Sequence, residues 1–502
     1  MANYDVIIIG AGVAGTTAGA LLARKAGKKV LILEKEEEIG GRDISFPGEG
    51  IDTERYPRLI RGAAKTWFFH SEPHLEKIVK EKLLHGFTLE AGIHVLPHSE
   101  KGRTAILLEK LGKPIELFPV KSAGYFHEGR LYRMENGSER GGNFPWMSAR
   151  DQEETARLNR EMVGLSTEEA FQLNILPFSE WLKMKTASPG VTELHSVIAT
   201  LNATINDPDQ ISAGDHILMN RGVARSGKRF SLGGCSTVPA PGFQQIPMKL
   251  AQVVTENGGA VRVSSPVMRV VVEKGRIKGV QALLEGNPEF IPAPVVVSSL
   301  PVKDVFRIIP EENFPVDFVS RVKSFWSAGA ICIYYGLKDR VIKEDMTFVP
   351  RVLGAEDGYT GDVRLGFWAS SNMDPSRAPE GMQLIDAYCS LTDQETYQKD
   401  LVRNAYIAMD RFFRQSYPGF EKNLAFAIVT VTDSLIPVAQ APDQVGEARP
   451  RAKCPWVEGL FFASDTSECW AAANDAAIHA GIICASRITG EDYLQLLPDY
   501  HR

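Results

Sequence analysis

Residues 5–42 read DVIIIGAGVAGTTAGALLARKAGKKVLILEKEEEIGGR. Two short apolar runs enclose three glycines and an alanine-rich stretch. The first run, Val6 to Ile9, has the β-branched composition of a strand buried on both faces. Gly10, Gly12 and Gly15 follow as G-x-G-x-x-G, and Val13 to Ala26 has helical composition with Gly27 as a stop. A second apolar run, Val30 to Leu33, ends in Glu34. Together these predict a βαβ unit that holds a dinucleotide. Gly10 allows the tight turn, Gly12 lets backbone approach a pyrophosphate, and Gly15 permits close helix–strand packing. The helix N-terminus, beginning near Ala14, offers N–H groups and positive dipole to phosphates. Glu34, with Lys35 beside it, stands where an acid accepts ribose hydroxyls, about 20 residues beyond the glycines.

Composition sets the bounds. The chain has 502 residues, 44% hydrophobic and 24% charged, which describes a globular protein of two or three domains. A net charge of −6, with no basic cluster interleaved with aromatics, argues against nucleic acid as a partner. Six cysteines are scattered without a C-x-x-C pair, so neither a metal site nor a disulfide framework is expected, and a reducing cytoplasm suits them. The first strand begins too early for a signal peptide and no apolar run reaches membrane-span length; peripheral contact with a bilayer stays open.

Gly40-Gly41-Arg42 follows Glu34 at a spacing, E-x5-G-G-R, that resembles the FAD-dependent amine oxidase and phytoene desaturase superfamily. The pattern is nearest to carotenoid (phytoene) desaturases and retinol saturase-like oxidoreductases. The resemblance places Arg42 beside the FAD phosphates, where a planar guanidinium matches phosphate oxygens. Two later stretches agree with it. "FQQIPMKLAQVVTENGGAVRVSSPVMRVVVEKGRIKGVQ" reads as a helix over 247–256, a strand over 260–263, then a hairpin of 267–273 and 277–283 turning at Gly275. The resemblance implies that Val267 pairs its backbone with adenine, and that "VVVSSLP" at 295–301 is the next strand. "VEGLFFASDTSECWAAANDAAIHAGIICASRI" reads as a strand running into Asp465 and a small-residue helix from about Ala472. Asp465 then contacts the diphosphate–ribityl region, and backbone N–H groups near Ala473 and Asn474 face the flavin's pyrimidine edge. A helix dipole there stabilises the negative charge that hydride addition creates.

The resemblance implies an α/β architecture: a Rossmann-like FAD-binding domain of the glutathione-reductase/amine-oxidase type with an inserted mixed α+β substrate domain. The FAD domain is expected at 1–95, 241–310 and 445–502, and the substrate domain at 96–240 and 311–444. Residues 62–92 carry a helical pattern, including "HLEKIVKEKLLHGF". "SAGAICIYYGLK" reads as a strand crossing the substrate domain. "NMDPSRAPEGMQLIDAY" matches a stretch of carotenoid desaturase relatives whose role is structural.

Three chemistries share this fold: redox at carbon–carbon bonds, amine oxidation, and non-redox binding of prenylated proteins. Intact glycines and Glu34 weigh against the last. Amine oxidases place a flavin-facing Tyr in "HWSGYMEGA", and Ala473 takes that position here. Carbon–carbon chemistry is therefore expected, with non-covalent FAD, since Cys469 precedes the helix and reads as packing. An electron donor or acceptor is also required. One departure stands out: where relatives continue with D-x-G-P and small apolar residues, this chain reads Asp52-Thr53-Glu54-Arg55-Tyr56. Arg55 or Arg58 could meet an anionic end of an amphipathic substrate, with Glu54 or Tyr56 moving a proton; equally, the charges could form a surface cluster. Trp470 could lie near the flavin or pack under the last helix. Asp475 and His479 share a helix face and read as a helix-stabilising ion pair rather than a proton pair.

Overall fold

The computed structural model describes residues 4–92, 96, 98–119, 122–128, 130–135, 144–225, 237–343, 346–347, 351–353 and 363–499. Cys235 lies outside them. Val6–Ile9, Val30–Leu33, Ala260–Arg262, Val295–Ser298 and Leu460–Phe462 form a five-stranded parallel sheet. Its order places Ala260–Arg262 at one edge, then Val30–Leu33, Val6–Ile9, Val295–Ser298 and Leu460–Phe462. Val6 pairs with Val30 on one side and Val295 on the other. Every residue of the first two strands is buried, because each face of this sheet is covered.

Helices Val13–Ala26, Gln245–Glu256 and Ala473–Thr489 cover one face. The first and last approach closely at Gly481, whose missing Cβ would stand 2.7 Å from the Ala14 carbonyl oxygen. The opposite face packs Ile7, Ile9, Leu31 and Leu33 against an antiparallel meander, Val267–Glu273, Arg276–Leu284 and Asn287–Pro292. The hairpin thus lies where the sequence puts it, turning at Gly275 with φ +71°.

A six-stranded sheet builds the second body, in the order Arg351–Leu353, Val363–Trp368, Gln383–Thr392, Ala328–Leu337, Leu424–Ile436 and Thr66–Glu72. Ala328–Leu337 is central and buried throughout its length. One face packs Ile331, Ile333 and Tyr335 with helix Lys399–Ser416. The other turns Ala330, Cys332 and Tyr334 inward.

The helical expectation for residues 62–92 is corrected. Helix Arg55–Ala64 ends before Thr66–Glu72, which is a strand paired with Leu424–Ile436. Its aromatic run, Trp67-Phe68-Phe69, suits a sheet edge, and tertiary pairing overrides the helical neighbourhood. Helix Leu75–Lys80 is short because Lys82 and Gly86 take positive φ, and Thr88–Glu90 is again extended.

Asp374 and Arg377 of the D-P-S-R stretch explain its structural role. The Asp374 carboxylate accepts the Ser376 N–H at 2.9 Å, and Arg377 turns inward. Its Nη2 lies 2.8 Å from Glu90 Oε1, with both side chains nearly inaccessible. Ser45 Oγ donates to Glu90 Oε2 at 2.6 Å. Burial still pushes the Glu90 carboxyl up to about 7 and Asp386 to about 6, with Arg377 opposing both shifts. Removing one partner of a buried pair strands the other, at a cost of about 3–5 kcal/mol. Arg377→Met should therefore lower the urea midpoint strongly at pH 8. The loss should shrink at pH 5, where Glu90 can take up a proton; an equal loss at both pH values would exclude charge as the cause.

Candidate functional site

The C-terminal ends of the parallel strands and the inner face of the second sheet border a cavity of about 480 Å³. At its near end, Glu34 Oε2 accepts the Ala11 N–H at 2.8 Å and Oε1 accepts the Glu36 N–H at 2.9 Å. The carboxylate is buried, which raises its proton affinity, and these backbone donors oppose that rise. Two backbone bonds leave a carboxylate with acceptor capacity to spare, and Glu34 borders the cavity together with Gly10, Gly12, Ala14, Lys35 and Val267.

The three glycines divide by what a side chain would meet. A Cβ on Gly15 would stand 2.4 Å from the Gly10 carbonyl oxygen, and one on Gly10 would meet Ser299 Oγ at 2.7 Å. A Cβ on Gly12 would find nothing nearer than the Gly40 carbonyl at 4.0 Å, so it would project into open space. Gly40 and Gly41 take φ values of +154° and +60°, which brings this turn against Gly12.

Arg42 and Asp465, 423 residues apart, meet at 2.7 Å between Nη2 and Oδ2. Ala473 and Asn474 begin helix Ala473–Thr489, which has no side-chain cap, and both border the cavity. Helix Val13–Ala26 also begins uncapped at Gly12. Two sets of orphan backbone donors thus open towards one space.

The loop between Asp465 and Asn474 is held from below by buried charge. Arg449 Nη1 donates to the Asp465 carbonyl at 2.9 Å. The Arg103 guanidinium lies 3.7 Å from the Trp470 ring centroid and its Nη1 donates to the Trp470 carbonyl at 3.1 Å. Burial draws the Arg103 pKa down to about 10. The Asp215 carboxylate accepts from Gln440 Nε2, and burial raises its pKa, with Arg449, Gln440 and the Ala471 N–H opposing the rise. Ala471 and Ala473 carry φ values of +74° and +52°. Left-handed alanines cost about 1–3 kcal/mol each and persist only where surroundings impose them.

Residues 13–489 match the family of flavin containing amine oxidoreductases. The chain belongs to that family. It is 22% identical over 538 aligned residues to the chloroplastic prolycopene isomerase of Daucus carota, covering 97% of this chain and 80% of that protein. A 50-residue stretch is 50% identical to the inactive all-trans-retinol 13,14-reductase of Danio rerio, over 10% of this chain and 8% of that one. An oxidoreductase from Methanosarcina mazei shares the fold, with a TM-score of 0.69 at 15% identity over 97% of this chain and 100% of the other. The protein is an FAD-dependent oxidoreductase of this superfamily, as the fingerprint implies. The open side of Gly12, the buried Glu34 and the two uncapped helix starts fit that cofactor.

Other expected site residues of this flavin oxidoreductase lie elsewhere. Arg55 Nε binds Glu37 Oε1 at 2.6 Å, its Nη2 binds Glu38, and Arg58 Nη2 binds Glu37 Oε2 at 3.1 Å. Glu54 precedes helix Arg55–Ala64, and its N–H donates to Asp52 Oδ1 at 2.8 Å. Tyr56 is buried edge-on against Phe46, 5.1 Å between centroids. None of these borders the cavity, and neither does Trp470; the same helix instead presents its far end, Arg61 to Lys65. Glu37 and Glu38 follow Glu34 so closely that they capture the arginines first. The Asp475–His479 pairing is also corrected. Asp475 Oδ2 lies 3.0 Å from His98 Nδ1 and Oδ1 accepts from Thr104 Oγ1 at 3.3 Å, while His479 packs edge-on against Trp470 at 5.5 Å. Packing against residues 98–104 outbids a bond along the helix.

Sequence inspection missed Asp43, His98, Arg103 and Asp215. His98 borders the cavity with φ +69°, and Asp43 borders it directly after the G-G-R turn. Burial pushes the Asp43 carboxyl up to about 8, Glu90 adds to the rise, and Arg42 and the Asn474 side chain oppose it. The sequence signal was an acid next to a phosphate motif, which invites a surface assignment.

The glycines give a direct contrast. Gly12→Ala should weaken FAD binding at least about tenfold while costing the apoprotein no more than about 1 kcal/mol, since alanine is a poorer N-cap than glycine. Gly15→Ala should destabilise the fold itself by about 1–3 kcal/mol through overpacking. Titration with FAD and urea unfolding of both variants check this, and equal effects on both readouts would contradict the assignment.

Proposed function

We propose that the protein acts on carbon–carbon bonds of an amphipathic, isoprenoid-like or conjugated substrate, by desaturation, saturation or isomerisation. The observation that carries this is the wall beside the Ala473 helix start. Ala471, Ala472 and Ala473 leave it small and apolar, and Leu201 and Met219 face the same space. Two rings, Trp368 and Tyr388, also border it, but they stand on neighbouring strands, tilted 66° at 6.3 Å. Such a pair cannot clamp an amine between parallel faces, whereas a flat apolar chain can lie along it. The whole-length likeness to a prolycopene isomerase and the short likeness to a retinol reductase point the same way.

FAD, when bound, supplies the two-electron hydride chemistry. The chain's own residues would hold and tune it. Gly12 and the first helix start would meet the pyrophosphate, Glu34 the ribose, and Arg42 with Asp465 the diphosphate–ribityl region. Backbone N–H groups at Ala473 and Asn474 would face the reacting ring and stabilise negative charge there. Asn202 and Thr204, which border the cavity, would take the substrate's polar end in place of the engaged Arg55 and Arg58. Electrons would come from or pass to a separate partner. Peripheral contact with a bilayer would suit so apolar a substrate; no helix among the described residues is long and apolar enough to cross one.

FAD would be held without a covalent bond. Cys469 Sγ donates to the Asp465 carbonyl at 3.4 Å and does not border the cavity, and burial raises its thiol to about 11. Purified protein should be yellow, and acid precipitation should leave free FAD in the supernatant; flavin retained in the pellet would refute non-covalent binding.

A panel of primary, aromatic and polyamine substrates, assayed for peroxide release, should give no turnover above buffer. Sustained oxidation of any of them would replace the carbon–carbon assignment with amine oxidation.

A further inference from the structure

The exposed part of the cavity wall is cationic. Among the described residues that border the cavity, the exposed ones are Lys35, Arg61 and Arg307, with half-buried Lys65 beside them. A residue that is both exposed and on the wall marks the mouth. Leu201, Met219, Trp368 and Tyr388 border the same cavity and are buried. The four cations come from three segments: Lys35 follows Glu34, Arg61 and Lys65 stand at the end of helix Arg55–Ala64, and Arg307 ends the turn Val302–Arg307. Lys35 Nζ donates to the Gly62 carbonyl at 2.6 Å, which joins the first segment to the second. Asp304 joins the second to the third, with Oδ2 at 2.6 Å from Lys65 Nζ and Oδ1 at 3.3 Å from Arg307 Nε. Lys35 also pairs with Glu36 at 2.5 Å, so two carboxylates, Glu36 and Asp304, face four cations. Among the described residues no carboxylate pairs with Arg61, whose charge reaches Tyr397, the hydroxyl donor to Asp433. The chain as a whole carries −6 and repels anions, so this rim reverses the sign of charge where the cavity opens.

We propose that Lys35, Arg61, Lys65 and Arg307 form an entry rim that draws the diphosphate of FAD from solution into the cavity, with Arg61 as the leading contact. The diphosphate carries two negative charges and ends its path deeper, at Gly12 and the first helix start. The rim cations stay in water, where a single contact is screened and adds little to the bound state. Their summed field reaches about one Debye length, roughly 10 Å at 0.1 M salt, and acts on the approaching anion. The rim therefore sets how fast FAD arrives and leaves its final affinity to the buried site. Charged groups at the edge of an interface act this way in general, through the association rate and its salt dependence. The inference is independent of the bond on which the cofactor acts. It requires that FAD enter from solution, as a non-covalent cofactor does.

Full-length apoprotein, produced in a riboflavin-starved auxotroph, can be mixed with excess FAD in a stopped-flow fluorimeter. The association rate constant of wild type should fall about tenfold between about 20 and about 500 mM NaCl. At the lower salt, Arg61→Gln should slow association about threefold, and Arg61→Glu combined with Arg307→Glu at least about tenfold. At the higher salt all rates should converge, and the FAD dissociation constant measured there should agree within about twofold. Lys422→Glu supplies the control for net charge. Lys422 is exposed just before strand Leu424–Ile436, whose far end borders the cavity, so this reversal should change the rate by less than about 1.5-fold. A wild-type rate independent of salt overturns the proposal. So does slowing by Lys422→Glu as large as that by Arg61→Glu, which would make net charge the cause. Defects that persist at high salt, or that appear equally in affinity, also overturn it, since they would place Arg61 in the bound state. Flavin retained in the acid pellet after loading would refute non-covalent binding, while the association phase still decides whether the rim steers FAD.

Discussion

Two helices begin at the same cavity without side-chain caps, and the rest of the architecture keeps them there. Val13–Ala26 starts at Gly12 and Ala473–Thr489 at Ala472, neither capped by a side chain. Lacking a capping side chain costs a few tenths of a kcal/mol at a glycine and about 0.5–2 kcal/mol at an alanine, so a ligand that meets those N–H groups is part of the fold's energetics. The starts converge because the helices cover one face of one parallel sheet and touch at Gly481. Arg42 and Asp465 then tie the turn beside the first start to the strand end before the last.

The loop that carries the second helix start is strained, and buried charge holds it. Arg103 and Arg449 each donate to a backbone carbonyl between Asp465 and Trp470, and the buried Asp215 carboxylate lies close enough to the Ala471 N–H to feel it. These side chains come from distant segments, and each is costly to bury alone. Their partners are main-chain dipoles more than opposite charges, so the arrangement fixes backbone position rather than net charge. The positive φ values of Ala471 and Ala473 are tolerable on that foundation.

Charge placement also separates surface from site. Glu37 and Glu38 absorb Arg55 and Arg58 near solvent, where such pairs are worth about 0–1 kcal/mol. The acids behind the G-G-R turn are buried with Arg42 and Arg377 among them. The same residue types therefore sit in opposite settings: one group is a solvated cluster, and the other lies buried, where desolvation raises the carboxyl pKa values.

The sequence by itself determined the cofactor end. The βαβ fingerprint, Glu34, the G-G-R turn, the hairpin after Val267 and the helix after Asp465 all depend on local backbone geometry, which short-range patterns encode. It also pointed to the buried strand Ala328–Leu337, since a strand covered on both faces is apolar without interruption. It misled at residues 66–72, where pairing with Leu424–Ile436 is a long-range event, and at Arg55, Arg58 and Asp475, whose partners no spacing rule could choose. Tertiary structure alone decided which charges are buried. Asp43, His98 and Arg103 became site residues only when segments hundreds of residues apart closed over them, because burial and electrostatic surroundings are properties of packing and not of neighbouring letters.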